Sequence, residues 1–150
     1  MKEPSSSIEL LIVEDNPQDL ELALRALKKG NITNRIEVAR DGAEALDFLF
    51  CRGAHASRKI TDTPKVVLLD LKLPKVDGLD VLRQIKADPR TRTIPIVVLT
   101  SSREQSDLIA SYQIGVNSYI VKPVNFESFS KAVQDLGLYW LILNQPPRLE

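Results

Sequence analysis

The chain has 150 residues, enough for one domain with a sizeable core and too few for two comfortable ones. Its 20 basic and 20 acidic side chains cancel, which leaves no electrostatic footprint for nucleic acid or an anionic membrane. The single cysteine, Cys51, excludes an internal disulfide framework, and no apolar run approaches the roughly 18–20 residues that span a bilayer, nor does "MKEPSSSIE" carry a signal-peptide stretch, so a cytoplasmic protein is expected.

Taken in chain order, Ser5 to Ser7 read as a flexible tail. Residues 8–13, "IELLIV", form a short apolar run that ends in Glu14 and Asp15. Leu20, Leu24 and Leu27 then share a helical face, with Pro17 suited to the first turn and Gly30 to the position just past the end. "RIEVAR" (35–40) is a second, weaker strand, and "DGAEALDFLF" a helix with Leu46, Leu49 and Phe50 apolar. The aperiodic "CRGAHASRKITDTP" is a surface loop. "KVVLLD" (65–70) is a third strand; "GLDVLRQIKADP" is a third helix, buried through Leu79, Leu82 and Ile85 and stopped by Pro89. "IPIVVLT" (94–100) is the fourth strand. A capping box of Ser101 and Glu104 opens a fourth helix that closes at Gly115. "NSYIVKP" carries the fifth strand and "NFESFSKAVQDLGLYWLILNQ" the fifth helix. This alternation predicts a doubly wound α/β sandwich with a five-stranded parallel sheet and right-handed crossovers, all in one domain.

In such sheets the strand carboxyl ends share an edge where ligands bind. That edge should collect Glu14 and Asp15 after the first strand, Asp70 after the third, Thr100 at the end of the fourth and Lys122 after the fifth. Carboxylates so close repel one another, and a divalent cation relieves the repulsion; oxygen ligands with room for water suit Mg2+. Asp70 then reads as a nucleophile that accepts a phosphoryl group, with Lys122 neutralising one phosphoryl oxygen and Thr100 donating to another.

These residues also carry a family resemblance. "VEDN", "LLDLKLPKVDG", "VVLTSS" and "YIVKPVN" fall in order at successive strand ends, and with them nearly the whole chain resembles a receiver domain of a two-component response regulator, of flavodoxin-like fold. "VEDNPQDLELALRAL", "EVARDGAEALDFL" and "LYWLILNQPP" are further similar to the stand-alone regulators paired with cyanobacterial phytochrome kinases. The resemblance implies that Asp70 is the phosphoacceptor, that Asp15 is a direct Mg2+ ligand beside Glu14, and that the backbone carbonyl of Lys72 completes the protein ligands. It implies a switch formed by Thr100 and Tyr119, in which the hydroxyl moves toward the phosphoryl group and the ring turns inward. It also implies a cis Lys122–Pro123 bond, a histidine kinase of phytochrome type as partner, and no enzymatic activity beyond self-phosphotransfer and autodephosphorylation. Glu14 stands where aspartate is more frequent, and Lys72 stands where receivers vary, a position from which its side chain can alter phosphoryl lifetime.

Blander readings exist for each residue. Glu14 and Asp15 suit the positive end of a helix, Thr100 suits a cap and Tyr119 a core. Asp70 and Lys122 in the same set favour the site. Cys51 and His55, four apart, are too few for a zinc centre and are expected to be structural or surface residues. A haloacid dehalogenase-type phosphatase would need an acid two residues after Asp70, where Lys72 stands. A nucleotide- or flavin-binding domain would need a glycine-rich loop where "EDNPQD" stands. A docking module that is never phosphorylated is opposed by the full acid set.

The last helix is expected to bury Phe126, Phe129, Val133, Leu136, Trp140 and Leu143 on one face, at alternating steps of three and four. "LYWLIL" is nevertheless apolar all round, so residues 137–147 read as an extension beyond a core of about 8–136, and a homodimer through the fifth helix and adjoining surface is expected. With almost the whole chain in the receiver and no net charge, direct nucleic-acid or membrane binding is not expected.

Overall fold

The computed structural model describes residues 8–32, 35–123 and 125–145; the serine run and residues 146 and 147 of the expected extension lie outside them. Strands β1 (Leu10–Val13), β2 (Ile36–Ala39), β3 (Val66–Leu69), β4 (Ile96–Thr100) and β5 (Ser118–Val121) form one parallel sheet in the order β2-β1-β3-β4-β5. Helices α1 (Pro17–Lys29), α2 (Gly42–Leu49), α3 (Gly78–Ala87), α4 (Gln105–Ile114) and α5 (Phe126–Gly137) alternate with them, as the doubly wound reading requires. β1, β3 and β4 are buried along their whole length, which is why they read as continuous apolar runs; β2 and β5, at the edges, are mostly half-buried. β4 starts two residues later than expected, because Pro95 has no N–H for the ladder and contributes only its carbonyl, to Val67 N at 2.9 Å.

Each sheet face has its own core. On one, Leu20, Ala23, Ala26 and Leu27 of α1 pack with Phe129 and Val133 of α5; on the other, Ala45, Leu46, Phe48 and Leu49 of α2 pack with Val81, Leu82 and Ile85 of α3. The small Ala23 and Ala26 occupy the centre of the α1 face, and Leu24 is half-buried at its margin. Asn16 caps α1 by accepting from Gln18 N and Asp19 N, Pro17 takes the first helical position, and α1 closes at Gly30.

Four expectations need correction. The capping box does not form: Glu104 is the N-cap of α4 and makes no side-chain cap, because residues 101–104 are a loop in which Ser102 bonds to other partners described below. The segment 51–64 is less irregular than expected, with a 3-10 turn at Gly53–His55 and Arg58 donating to Phe48 O and to Asp62 O at 2.7 Å while its guanidinium stacks on the Phe48 ring. No cis peptide bond occurs among the described residues, so the Lys122–Pro123 bond is trans. Finally, α5 does not continue as one α-helix. After Gly137 the chain enters a π-helix, Leu138–Leu143, in which Asn144 N donates to Tyr139 O at 2.7 Å, five residues back.

The wider π turn resets the buried face. Burial runs through Phe129, Val133, Gly137 and Leu141, whereas Leu143 is 61% and Phe126 46% exposed, and Leu136 and Trp140 are half-buried. Gly137 permits the turn to approach α1: a Cβ there would lie 2.5 Å from Ile32 Cδ1 and 2.8 Å from Leu27 Cδ2.

Candidate functional site

β1 and β3 are neighbours whose chains leave for opposite faces of the sheet, and the crevice this opens lies at their carboxyl ends. Register sets what meets there. Val13 pairs with Leu69, and the ladder runs one step further through Asp70 N to Val13 O at 3.1 Å, so Glu14 and Asp70 emerge side by side. Thr100 pairs with Val121, and Lys122 N donates to Thr100 O at 2.7 Å. Four strand ends thus bring Glu14, Asp70, Thr100 and Lys122 together, all largely buried.

Lys122 Nζ lies 2.6 Å from Glu14 Oε1, 2.8 Å from Asp19 Oδ2 and 3.2 Å from Asp70 Oδ2. The other Asp70 oxygen, Oδ1, accepts from the Thr100 hydroxyl at 2.7 Å, from Leu71 N at 2.7 Å and from Lys72 N at 3.5 Å. Glu14 Oε2 accepts from Asn16 N at 3.1 Å. The loop beneath Asp70 needs Gly78, the last residue of "LLDLKLPKVDG": a Cβ there would lie 2.4 Å from the Asp70 carbonyl oxygen and 2.5 Å from Leu71 Cα. α3 can therefore begin directly under the site.

Charge at this site is unbalanced. Glu14, Asp19 and Asp70 share one ammonium, and Asp15 adds a fourth, exposed carboxylate. Burial pushes Glu14 up to about 7; the hydrogen bond from Lys122 pulls the other way, and the charge of Asp70 pushes it up again. For Lys122, burial alone would favour the neutral amine, but the hydrogen bonds to Asp19 and Glu14 and the charge of Asp70 outweigh it and hold the ammonium above its ordinary value. One ammonium thus faces more than one carboxylate, an excess that a second cation would relieve.

Oxygen atoms of Glu14, Asp15 and Asp70 lie within 4.8 Å of one another and could hold a metal ion. An all-oxygen, carboxylate-rich set with one exposed member fits Mg2+, which keeps waters and takes few protein ligands. Among the described residues no other such cluster of His, Cys, Asp or Glu occurs. Cys51 and His55 take part in packing: Cys51 Sγ accepts from Arg58 at 3.5 Å, and the His55 ring meets Phe48 edge-on with centroids 5.1 Å apart.

Two further groups join the site without having been singled out in the sequence. Asp19 lies one turn into α1 from Asp15, and only the fold turns it toward Lys122; in sequence it is an ordinary acid in a first helical turn. Ser102 is a junction: its N–H donates to Thr100 Oγ1 at 3.3 Å, its hydroxyl to Asp107 Oδ2 at 2.6 Å, and its carbonyl accepts from the Tyr119 hydroxyl at 3.2 Å. Thr100 and Tyr119 are therefore connected through one residue. Lys72 places its side chain toward α4, with Nζ 3.6 Å from Asp107 Oδ2.

With carboxylates gathered around a strand-end aspartate, and a threonine and a lysine from the next two strands, residues 10–134 match the response regulator receiver domain. The chain belongs to that family. It is 46% identical over 138 residues to the probable methanogenesis regulatory protein FilR2 of Methanothrix harundinacea, which covers 92% of this chain and 86% of FilR2. Response regulator Rcp1 of Synechocystis is 40% identical over 132 residues, 88% of either chain, and the crystal structure of its Mn(2+)-bound form superposes with a TM-score of 0.86 over 94% of this chain and 99% of that one. The crystal structure of the phosphorylated cyanobacterial phytochrome response regulator RcpA gives a TM-score of 0.87 at 36% identity, over 95% of this chain and 99% of RcpA.

Proposed function

We propose that this chain is a single-domain response regulator that takes a phosphoryl group from a histidine kinase onto Asp70. The observation that carries the reading is the division of labour at Asp70: one oxygen faces Lys122 and the other faces the Thr100 hydroxyl. In the transfer, an Asp70 oxygen forms a bond to phosphorus while the bond from phosphorus to the donor's histidine nitrogen breaks, and the nitrogen keeps the electron pair. Lys122, beside Asp70 Oδ2, would meet charge on one phosphoryl oxygen, and the Thr100 hydroxyl, beside Asp70 Oδ1, would donate to another. Glu14, Asp15 and Asp70, with the Lys72 carbonyl, would hold Mg2+, which when bound supplies charge neutralisation between carboxylates and phosphoryl oxygens. The switch is Thr100 with Tyr119, joined through Ser102.

Several features support the partners. A groove of about 380 Å³ at the mouth of the site, lined by the polar Asp19, Lys122 and Asn125 as well as by Leu22, Pro123 and Phe126, supports a docking place for the kinase. RcpA is described as a phytochrome response regulator, which supports a kinase of phytochrome type. FilR2, described as a methanogenesis regulatory protein, marks the other relation that a kinase screen should cover. The exposed apolar residues Leu138, Tyr139, Ile142 and Leu143 support a homodimer through the fifth helix and adjoining surface. The response is a changed surface rather than turnover of a substrate.

The test is intact mass after incubation with magnesium and acetyl phosphate. A gain of one phosphoryl mass is expected, and it should be absent without magnesium and in Asp70→Asn. A folded protein that gains nothing from any donor would make it a docking module. For the dimer, Ile142→Glu should shift the mass measured by light scattering to that of a monomer; an unchanged mass removes the C-terminal face from the interface.

A further inference from the structure

α4 is built the wrong way round for a helix packed on a sheet. Its buried residues are Asp107 and Ser111, while Ile109 and Tyr112 are 47% and 53% exposed. What holds its first turn to the rest of the molecule is polar: Asp107 accepts the Ser102 hydroxyl at 2.6 Å and pairs with Lys72 Nζ at 3.6 Å.

Lys72 is joined to both ends of this arrangement. Its backbone N–H lies 3.5 Å from Asp70 Oδ1, so its side chain is rooted beside the phosphoacceptor, and its ammonium is drawn away onto α4. That side chain is 60% exposed and free to swing on a flexible four-carbon stem. Asp107 is the largest influence holding the Lys72 ammonium above its ordinary value, with Glu104 and Asp77 adding to it.

We propose that Asp107 and a phosphoryl group on Asp70 compete for the Lys72 ammonium, so that Asp107 is a positioning residue that keeps Lys72 off the site in the unphosphorylated protein and is released from it when the site is charged. This rests on Asp70 being the phosphoacceptor. Phosphoryl transfer replaces the single charge of the Asp70 carboxylate with about two, part of it met by Lys122, next to the root of the Lys72 side chain, whereas Asp107 offers one. Release of Lys72 removes one of the polar ties on α4, and the other, through Ser102, leads back to Thr100 and Tyr119. Charge at Asp70 would thereby reach α4 by two routes, the hydroxyl chain and the lysine.

Asp107→Asn separates these routes, because the amide oxygen can still accept the Ser102 hydroxyl while the charge that holds Lys72 is gone. The probe is beryllium fluoride with magnesium, a phosphoryl mimic, and its affinity is read from the fluorine NMR signal of the bound form. Asp107→Asn should tighten binding about threefold to fivefold, the scale open to a partly exposed ion pair. Lys72→Met should weaken binding, and in the Lys72→Met background Asp107→Asn should have no effect. Equal tightening in both backgrounds would mean that Asp107 acts only through general charge, and unchanged or weaker binding would mean that it is only structural; either overturns the proposal. If the unaltered protein binds no mimic and takes no phosphoryl mass, the phosphoacceptor reading fails first, and the competition fails with it.

Discussion

The two oxygens of Asp70 look toward two differently built flanks of the molecule. Oδ2 meets Lys122, which holds Glu14 and Asp19 and so ties the site to α1. That flank is packed through apolar contact, with Phe129 and Val133 of α5 buried against Leu20, Ala23 and Leu27 of α1. Oδ1 meets Thr100, and from there hydroxyls and carboxylates run through Ser102 to Asp107 on α4, a helix whose fully buried side chains, Asp107 and Ser111, are polar and whose Ile114 only partly reaches the core. An apolar interface is indifferent to charge at the site, whereas a polar one responds to it. The flank held largely by hydrogen bonds is therefore the one whose contacts a change of charge at Asp70 would alter, and the flank built from leucine, valine and phenylalanine the one whose contacts it would leave as they are.

Four substitutions or titrations can break or sharpen that contrast. Phe129→Ala empties the centre of the apolar flank and should cost about 3–5 kcal/mol in denaturant unfolding, while leaving the magnesium affinity of the folded protein unchanged. Next, Lys122→Met leaves Glu14 and Asp70 buried without their cation. It should lower stability by about 3 kcal/mol at neutral pH in the absence of magnesium, and magnesium should restore part of the loss.

Glu14 provides the pH test. Its folded value, about 7, lies above its ordinary 4.5, so its contribution to stability is fully present below 4.5 and is lost as pH rises through 7. The melting temperature of the magnesium-free protein should fall over that rise, and Glu14→Gln should flatten the fall. Because the ion needs the carboxylate, magnesium should raise the melting temperature more at the alkaline end; an equal gain at both ends would place the ion elsewhere.

The smallest effect belongs to the polar flank. Ser111 Oγ is buried with no hydrogen-bond partner, so Ser111→Ala should be neutral or stabilising by up to about 1 kcal/mol in thermal unfolding. A loss of more than that would show that α4 depends on this hydroxyl and is anchored more firmly than its contacts indicate.

The strand ends were legible because an apolar run buried on both faces leaves little choice of register, and a polar residue that ends one must sit at the rim. Val66 to Leu69 followed by Asp70, and Ile96 to Leu99 followed by Thr100, follow that rule. Chain punctuation was legible for the same kind of local reason: Pro17, Gly30 and Pro89 act through their own backbone chemistry and bound α1 and α3 where expected. α4 was legible as a helix but not in its packing, since its buried side chains are polar and periodicity counts only apolar ones.

What the sequence determined by itself is thus the parallel α/β order and the set Glu14, Asp15, Asp70, Thr100 and Lys122, because strand burial and chain order are enough to bring those residues to one edge. Tertiary structure alone decided the rest. Asp19 becomes a partner of Lys122 only once α1 is seated, and Ser102 links Thr100, Tyr119 and Asp107 only once the loop before α4 has taken its path. The change from α to π winding after Gly137 exchanges Leu143 for Leu141 in the core, because the closeness of Leu27 in α1 and of Ile32 just past it, which no local pattern encodes, sets where that turn can lie.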